Sequence, residues 1–222
     1  MFAKWFNTAR CVRSARACAV LAGIACVFSW AAASTLAANT DIVRVEEKWE
    51  LVVKQPDTTT VSPQVTCIIS PHGHADGLFA AFNLNHKSYP TWVPGGLQLQ
   101  LWNGDAPIAG YNFPHDELLN TSDEVVRWTQ SMELVGTQLK FEILRGHSTT
   151  WGDFGGQGYL RAYVESPVQD LNNYSSDISV ANSGISYAAN RVTSLKLLRV
   201  RAYNRNGDLA EDSTVKVVYA HE

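Results

Sequence analysis

The chain has 222 residues, 45% of them hydrophobic and 18% charged, a composition that supports a full core and excludes wholesale disorder. Its first 37 residues carry Lys4, Arg10, Arg13 and Arg16 and no acid, so 14 of the 18 basic residues remain against 21 acidic ones, a net charge of −7. That balance argues against a nucleic-acid partner, because contact with a polyanion rests on clustered Lys and Arg.

Residues 1–37 read as an export signal: a basic start from Lys4 to Arg16, a mostly apolar run from Ala17 to Ala33, and small residues through Ala38. Thr35 and Ala37 suit the positions before the cut, and cleavage after Ala33 is the alternative. An uncleaved anchor is the competing reading, since the apolar run approaches the roughly 20 residues that cross a bilayer. After cleavage no segment is long and apolar enough to span a membrane. The expected mature protein is residues 38–222, one domain, located in the periplasm, at the cell surface or in the medium. Cys11, Cys18 and Cys26 leave with the signal, so Cys67 stands alone and no internal disulfide is expected.

From Asp41 onward the pattern is strand after strand. Val43 to Lys54 is the first, ended by Pro56-Asp57, and Gln64 to Ser70 the second, between Pro63 and Pro71. Cys67 lies inside the second, where a thiol serves as a small hydrophobe. Leu78 to Asn85 is a third candidate. Leu97, Leu99 and Leu101 alternate with Gln98, Gln100 and Trp102, the period of a half-buried strand. Asp116 to Val126 is the one place for a short helix.

A two-residue turn at Gly136-Thr137 makes opposite residue numbers sum to 273, placing Leu134 against Leu139 and Met132 against Phe141. Glu133 then faces Lys140 and Glu142 faces Ser131, so one face is apolar and the other wet. Trp128 shares the apolar face and is expected in the core. Tyr159 to Glu165, Ile178 to Val180, Ile185 to Tyr187 and Arg191 to Tyr203 are further strands, with Asp170 to Asp177 a polar turn. Asn206-Gly207 marks a hairpin into Thr214 to Tyr219. About ten strands at this spacing predict an all-β, antiparallel two-sheet sandwich of jelly-roll type, with a barrel as the alternative.

Three groups of residues carry possible chemistry. The first is Ser70-Pro71-His72-Gly73-His74-Ala75-Asp76-Gly77, directly after a strand. It resembles the HxHxDH motif of the metallo-β-lactamase-like hydrolases, with His72, His74 and Asp76 in matching places and Gly77 where the last His belongs. The resemblance covers about eight residues and implies at most a single metal ion and a metal-dependent hydrolase; otherwise no cofactor is expected, and the bland reading is a polar turn. The second is the Gly-rich loop Trp151-Gly152-Asp153-Phe154-Gly155-Gly156-Gln157-Gly158. Its Asp-Phe-Gly triplet lacks the other kinase motifs, and its place before a strand excludes a dinucleotide fingerprint. Ser148 to Gly156, with Ala189 to Leu195, is similar to an uncharacterised family of exported bacterial β-sandwich proteins. That resemblance implies fold and export and no activity.

The third group is the tryptophans. Indole faces stack on the C–H groups of sugar rings, and exported sandwiches with rim or concave-face Trp are natural glycan binders. Trp92, between Pro90 and Pro94, Trp102, on the Gln98 and Gln100 face, and Trp151, in the Gly-rich loop, are the contact candidates. No catalytic residues are assigned: Glu133 and Glu142 lie on the wet hairpin face, and no G-x-S-x-G elbow occurs. The expectation is a non-enzymatic exported β-sandwich that binds a glycan or another envelope component. The alternatives are a hydrolase built on His72, His74 and Asp76 and a purely structural envelope protein.

Overall fold

Leu134 faces Leu139 and Met132 faces Phe141 across the Gly136-Thr137 turn, the register that the sum of 273 predicts. The structure is a computed structural model that describes residues 40–54, 63–89, 92 and 94–221. The export signal over residues 1–37 lies outside the described residues.

Among the described residues, two antiparallel sheets pack face to face. The larger has eight strands. At its centre β1 (Ile42–Val53) lies between β6 (Glu124–Val135) and β11 (Val192–Asn204). Beyond β6 come β7 (Gln138–Ser148) and two short strands that pair with it, β8 (Gly152–Phe154) and β9 (Arg161–Glu165). Beyond β11 come β12 (Leu209–Asp212) and β13 (Lys216–Ala220), each pairing with a different half of that long strand. The smaller sheet runs β2 (Gln64–Ile69), β3 (Leu78–Asn85), β4 (Gly96–Asn103) and β5 (Ala106–Pro114) as a meander, with β10 (Gly184–Ser186) on the far edge of β2.

Alternation along the strands builds the core between the sheets. The larger sheet contributes Val45, Trp49, Leu51, Trp128, Met132 and Phe141, and the smaller one Val65, Cys67, Phe82, Leu84, Leu97 and Leu99, all buried. Trp49 stacks on Trp128 at 6.4 Å between ring centroids, and Phe82 from the opposite sheet meets Trp128 edge-on at 5.7 Å. Each such side chain removed from water stabilises the fold by about 1.5–3 kcal/mol. Cys67 is free and buried, and burial pushes its thiol well above its ordinary range, so it acts as a hydrophobe.

Four expectations need correction. Ile178 to Val180 lies in a helix, α1 (Ser176–Asn182), because the Ser175 hydroxyl accepts from the Asp177 N–H and caps its start. Asp116 to Val126 holds no helix: Leu119 and Asp123 each have φ of 58°, left-handed values that break helical continuity, and β6 already begins at Glu124. The Asn206-Gly207 turn leads into β12, and the chain then continues in the same direction as β13, both antiparallel to β11. Strand β5 was not expected, since as an edge strand it is exposed along most of its length and carries no alternating apolar signal.

Candidate functional site

The outer faces of the two sheets differ in kind. On the larger sheet the outward side chains form ion pairs: Arg127 with Glu50, Lys140 with Glu133 and Glu142, and Arg161 with Glu142. This is a charged, ion-paired face, on which Glu133 is partly exposed while Glu142, expected on a wet face, is buried against Lys140 and Arg161. On the smaller sheet the outward positions are mainly amides, a hydroxyl and aromatic rings, with the apolar Ile68 and Ala81 among them. Gln64 and Thr66 come from β2, Phe79, Asn83 and Asn85 from β3, Gln98, Gln100 and Trp102 from β4, and Asn112 from β5.

These side chains form two rows across the strands. In one, Gln64 Nε2 donates to Asn85 Oδ1 at 2.8 Å, and Asn85 Nδ2 donates to Gln98 Oε1 at 2.8 Å. In the other, the Thr66 hydroxyl donates to Asn83 Oδ1, and Asn83 Nδ2 donates to Gln100 Oε1 at 3.0 Å. Strand register makes the rows possible: Gln64 lies directly opposite Asn85 and Thr66 opposite Asn83, while across β3 and β4 the bonds run on the diagonal, since Asn85 is opposite Gly96 and Asn83 opposite Gln98. One register step further along, Phe79 stacks on Trp102 with planes 4° apart and centroids at 6.3 Å.

Above this face lies a groove of about 730 Å³, within the range of small-molecule sites. Gln64, Thr66, Asn83, Gln98 and Gln100 form its polar floor, Phe79 and Trp102 its aromatic part, and Asn112 and Asp105 lie on the β5 side. Tyr89 and Trp92 close another side from the loop after β3. Among the described residues of that loop, the Tyr89 N–H donates to the His86 carbonyl at 2.9 Å, the Trp92 N–H to the Tyr89 carbonyl at 3.2 Å, and the Gly95 N–H to the Trp92 carbonyl at 3.0 Å. Gly95 and Gly96 bring it back to the sheet. At Gly96, with φ of 123°, a Cβ would sit 2.1 Å from the Phe113 carbonyl oxygen, so no other residue fits.

Of the three candidate tryptophans, Trp92 and Trp102 line this groove and Trp151 does not. Trp151 stands at the β7–β8 turn of the larger sheet, half-buried against Phe154 and His115. Its Nε1 donates to Glu124 Oε1 at 2.7 Å, beside the Ser148 hydroxyl on the same oxygen at 2.9 Å. Burial raises the Glu124 carboxyl above its ordinary value, and these donors offset part of that cost. The Trp151 indole is an anchor for the loop.

The rings of His72 and His74 stack at 5.4 Å, on one side as the i and i+2 spacing predicts. Asp76 does not complete a site with them: among the described residues, no three His, Cys, Asp or Glu side chains are grouped so as to hold a metal ion. The segment is a run of bends held by Ser70, whose hydroxyl lies 2.9 Å from the His74 carbonyl and 3.1 Å from the Leu78 carbonyl. Its end braces the groove, where the Gly104 N–H donates to the Gly77 carbonyl at 2.9 Å beside Asp105.

The sequence reading missed Gln64, Thr66, Asn83, Asn85, Tyr89, Asp105 and Asn112. The usable signal was polar amides at every second position of two neighbouring strands, Asn83 and Asn85 against Gln98 and Gln100. No protein-family model matches the chain, and no curated protein matches it either. Among the described residues no helix is long and apolar enough to cross a membrane.

Proposed function

We propose that this is an exported, non-enzymatic β-sandwich that binds a neutral glycan along the outer face of its smaller sheet. The supporting observation is the contrast between the two outer faces: ion pairs on one, amides and indoles lining a groove on the other. Sugar hydroxyls both donate and accept, which suits amide side chains, and the Trp102 face, stacked on Phe79, suits a sugar's C–H surface. Among the described residues that line the groove there is no Lys, Arg or His, while Asp105 adds a negative charge, so an anionic saccharide is disfavoured.

A glycan array probed with the mature protein and with Trp102→Ala tests this reading. The expected result is retention of one or more neutral glycans by the wild type, weakened by about 1 to 3 kcal/mol in the variant with melting unchanged. Retention of no glycan by the wild type overturns it and leaves a structural envelope role as the better account.

A further inference from the structure

Among the described residues, three of the large hydrophobic side chains that stand exposed lie on one strand, Ile108, Tyr111 and Phe113 of β5. Tyr111 and Phe113 pair with Leu99 and Leu97 of β4, so they point to the same core-facing side of the sheet. Yet Leu99 and Leu97 are 2% and 1% exposed, while Tyr111 and Phe113 are 41% and 37% exposed, even with Phe113 stacked on Tyr159 at 4.3 Å. The smaller sheet therefore carries its inner face one strand beyond the cover of the larger one.

The backbone of β5 is bare along the same edge. The His115 N–H donates to the Gly95 carbonyl at 3.1 Å, and the Phe113 carbonyl oxygen lies against Gly96, so the odd-numbered backbone groups face β4. By alternation the N–H and C=O groups of Gly110 and Asn112 face away from it, where no described strand pairs. The other strands that end a sheet, β8, β9, β10, β12 and β13, have five residues at most, whereas β5 has nine and no charged side chain. Pro107, the bulge beside it and Pro114 blunt the two ends and leave residues 109–113 open. Another strand is what satisfies such an edge, and a second β5 fits it. Residues 38–222 carry a net charge of −7, so two copies approach most readily where charge is absent. Run antiparallel with paired numbers summing to 222, Gly110 of each copy exchanges both its backbone hydrogen bonds with Asn112 of the other. Tyr111 then faces Tyr111 on the inner side, and Phe113 faces Ala109.

We infer that the mature protein self-associates through β5, two copies pairing edge to edge so that their smaller sheets run on as one. Sedimentation velocity over a concentration series reaching about 1 mM, where even weak pairing registers, is the test. The wild type is expected to pass from one copy to two as concentration rises. Tyr111→Lys and Tyr111→Glu each set like charges face to face at the two-fold axis and should stay monomeric, with melting unchanged because the side chain already meets water. Mixed in equal amounts, the two variants restore the dimer, which neither misfolding nor a mere loss of apolar surface would do. A wild type that stays monomeric throughout the series overturns the inference. So does association that runs on past two copies, a dimer that persists in both single variants, or a mixture that remains monomeric.

Discussion

Tyr174 donates its hydroxyl proton to Glu47 Oε1 at 2.6 Å, joining residues 127 positions apart inside the core. The other oxygen accepts from Gln130 Nε2 at 2.7 Å and from Trp49 Nε1 at 2.9 Å. A fully buried carboxyl in a strand centre is thus held by three donors, one of which ties the 166–175 crossover to the larger sheet. Tyr174→Phe leaves that oxygen short of a donor and should cost about 1.5–3 kcal/mol in chemical denaturation.

The same carboxyl makes stability depend on pH. Burial raises Glu47 above its ordinary value of 4.5, against the lowering effect of its hydrogen bonds. A raised carboxyl binds its proton more tightly folded than unfolded, so its stabilising contribution is full below about pH 4.5 and is lost as pH rises through the folded value. Denaturation of wild type and Glu47→Gln at stepped pH should therefore show the wild type's advantage shrinking above pH 4.5. An advantage that grows with pH contradicts this account.

Gly96 is required by geometry. Its φ of 123° alone costs another residue roughly 1–3 kcal/mol, and a Cβ would collide with the Phe113 carbonyl oxygen. Gly96→Ala should lower the melting temperature and disturb the β4–β5 pairing that carries Gln98. Gly136→Ala, where nothing lies near the missing Cβ, should cost only the positive-φ strain.

The tryptophans should separate by role. Trp128→Ala opens a cavity between the sheets and should cost roughly 3–5 kcal/mol of stability. Trp151→Phe removes the donor to buried Glu124 and should lose about 1–3 kcal/mol of stability with glycan retention unchanged at a temperature where the variant is folded. Trp102→Ala should show the reverse pattern. Parallel melts and polysaccharide pull-downs on the three variants read this directly.

His72, His74 and Asp76 should behave as a turn. Because the three do not group, zinc added to the mature protein should leave its melting temperature unchanged. A rise in melting temperature with added zinc, lost in His72→Ala, restores the metal reading.

The alternation of apolar and polar residues was enough to define most strands, because period two is a local property written into each segment. The β6–β7 register was legible for the same reason: a short turn fixes the pairing, and one residue of slip would expose Met132 and Leu134. Even there the reading fails beyond the bulge between Thr129 and Gln130, which sets Trp128 opposite Gly146. Edge strand β5 and helix α1 escaped it, since an exposed strand needs no alternation and a seven-residue helix too little periodicity.

What only the tertiary structure decided is which side chains meet. Trp102 was legible as an outward residue of its strand, but its place beside Trp92, and the absence of Trp151 from that groove, depend on loops that close from distant parts of the chain. The amide rows are likewise a product of pairing across three strands: each Asn or Gln alone reads as an ordinary polar position. Glu47 shows the converse, a charged residue in an inward position that the strand pattern cannot justify. It is tolerated because Tyr174 and Gln130, from two other segments, join Trp49 of its own strand in supplying donors. Local periodicity sets which face a side chain points to; the partners that make burial or binding affordable come from elsewhere in the chain, and only the fold brings them together.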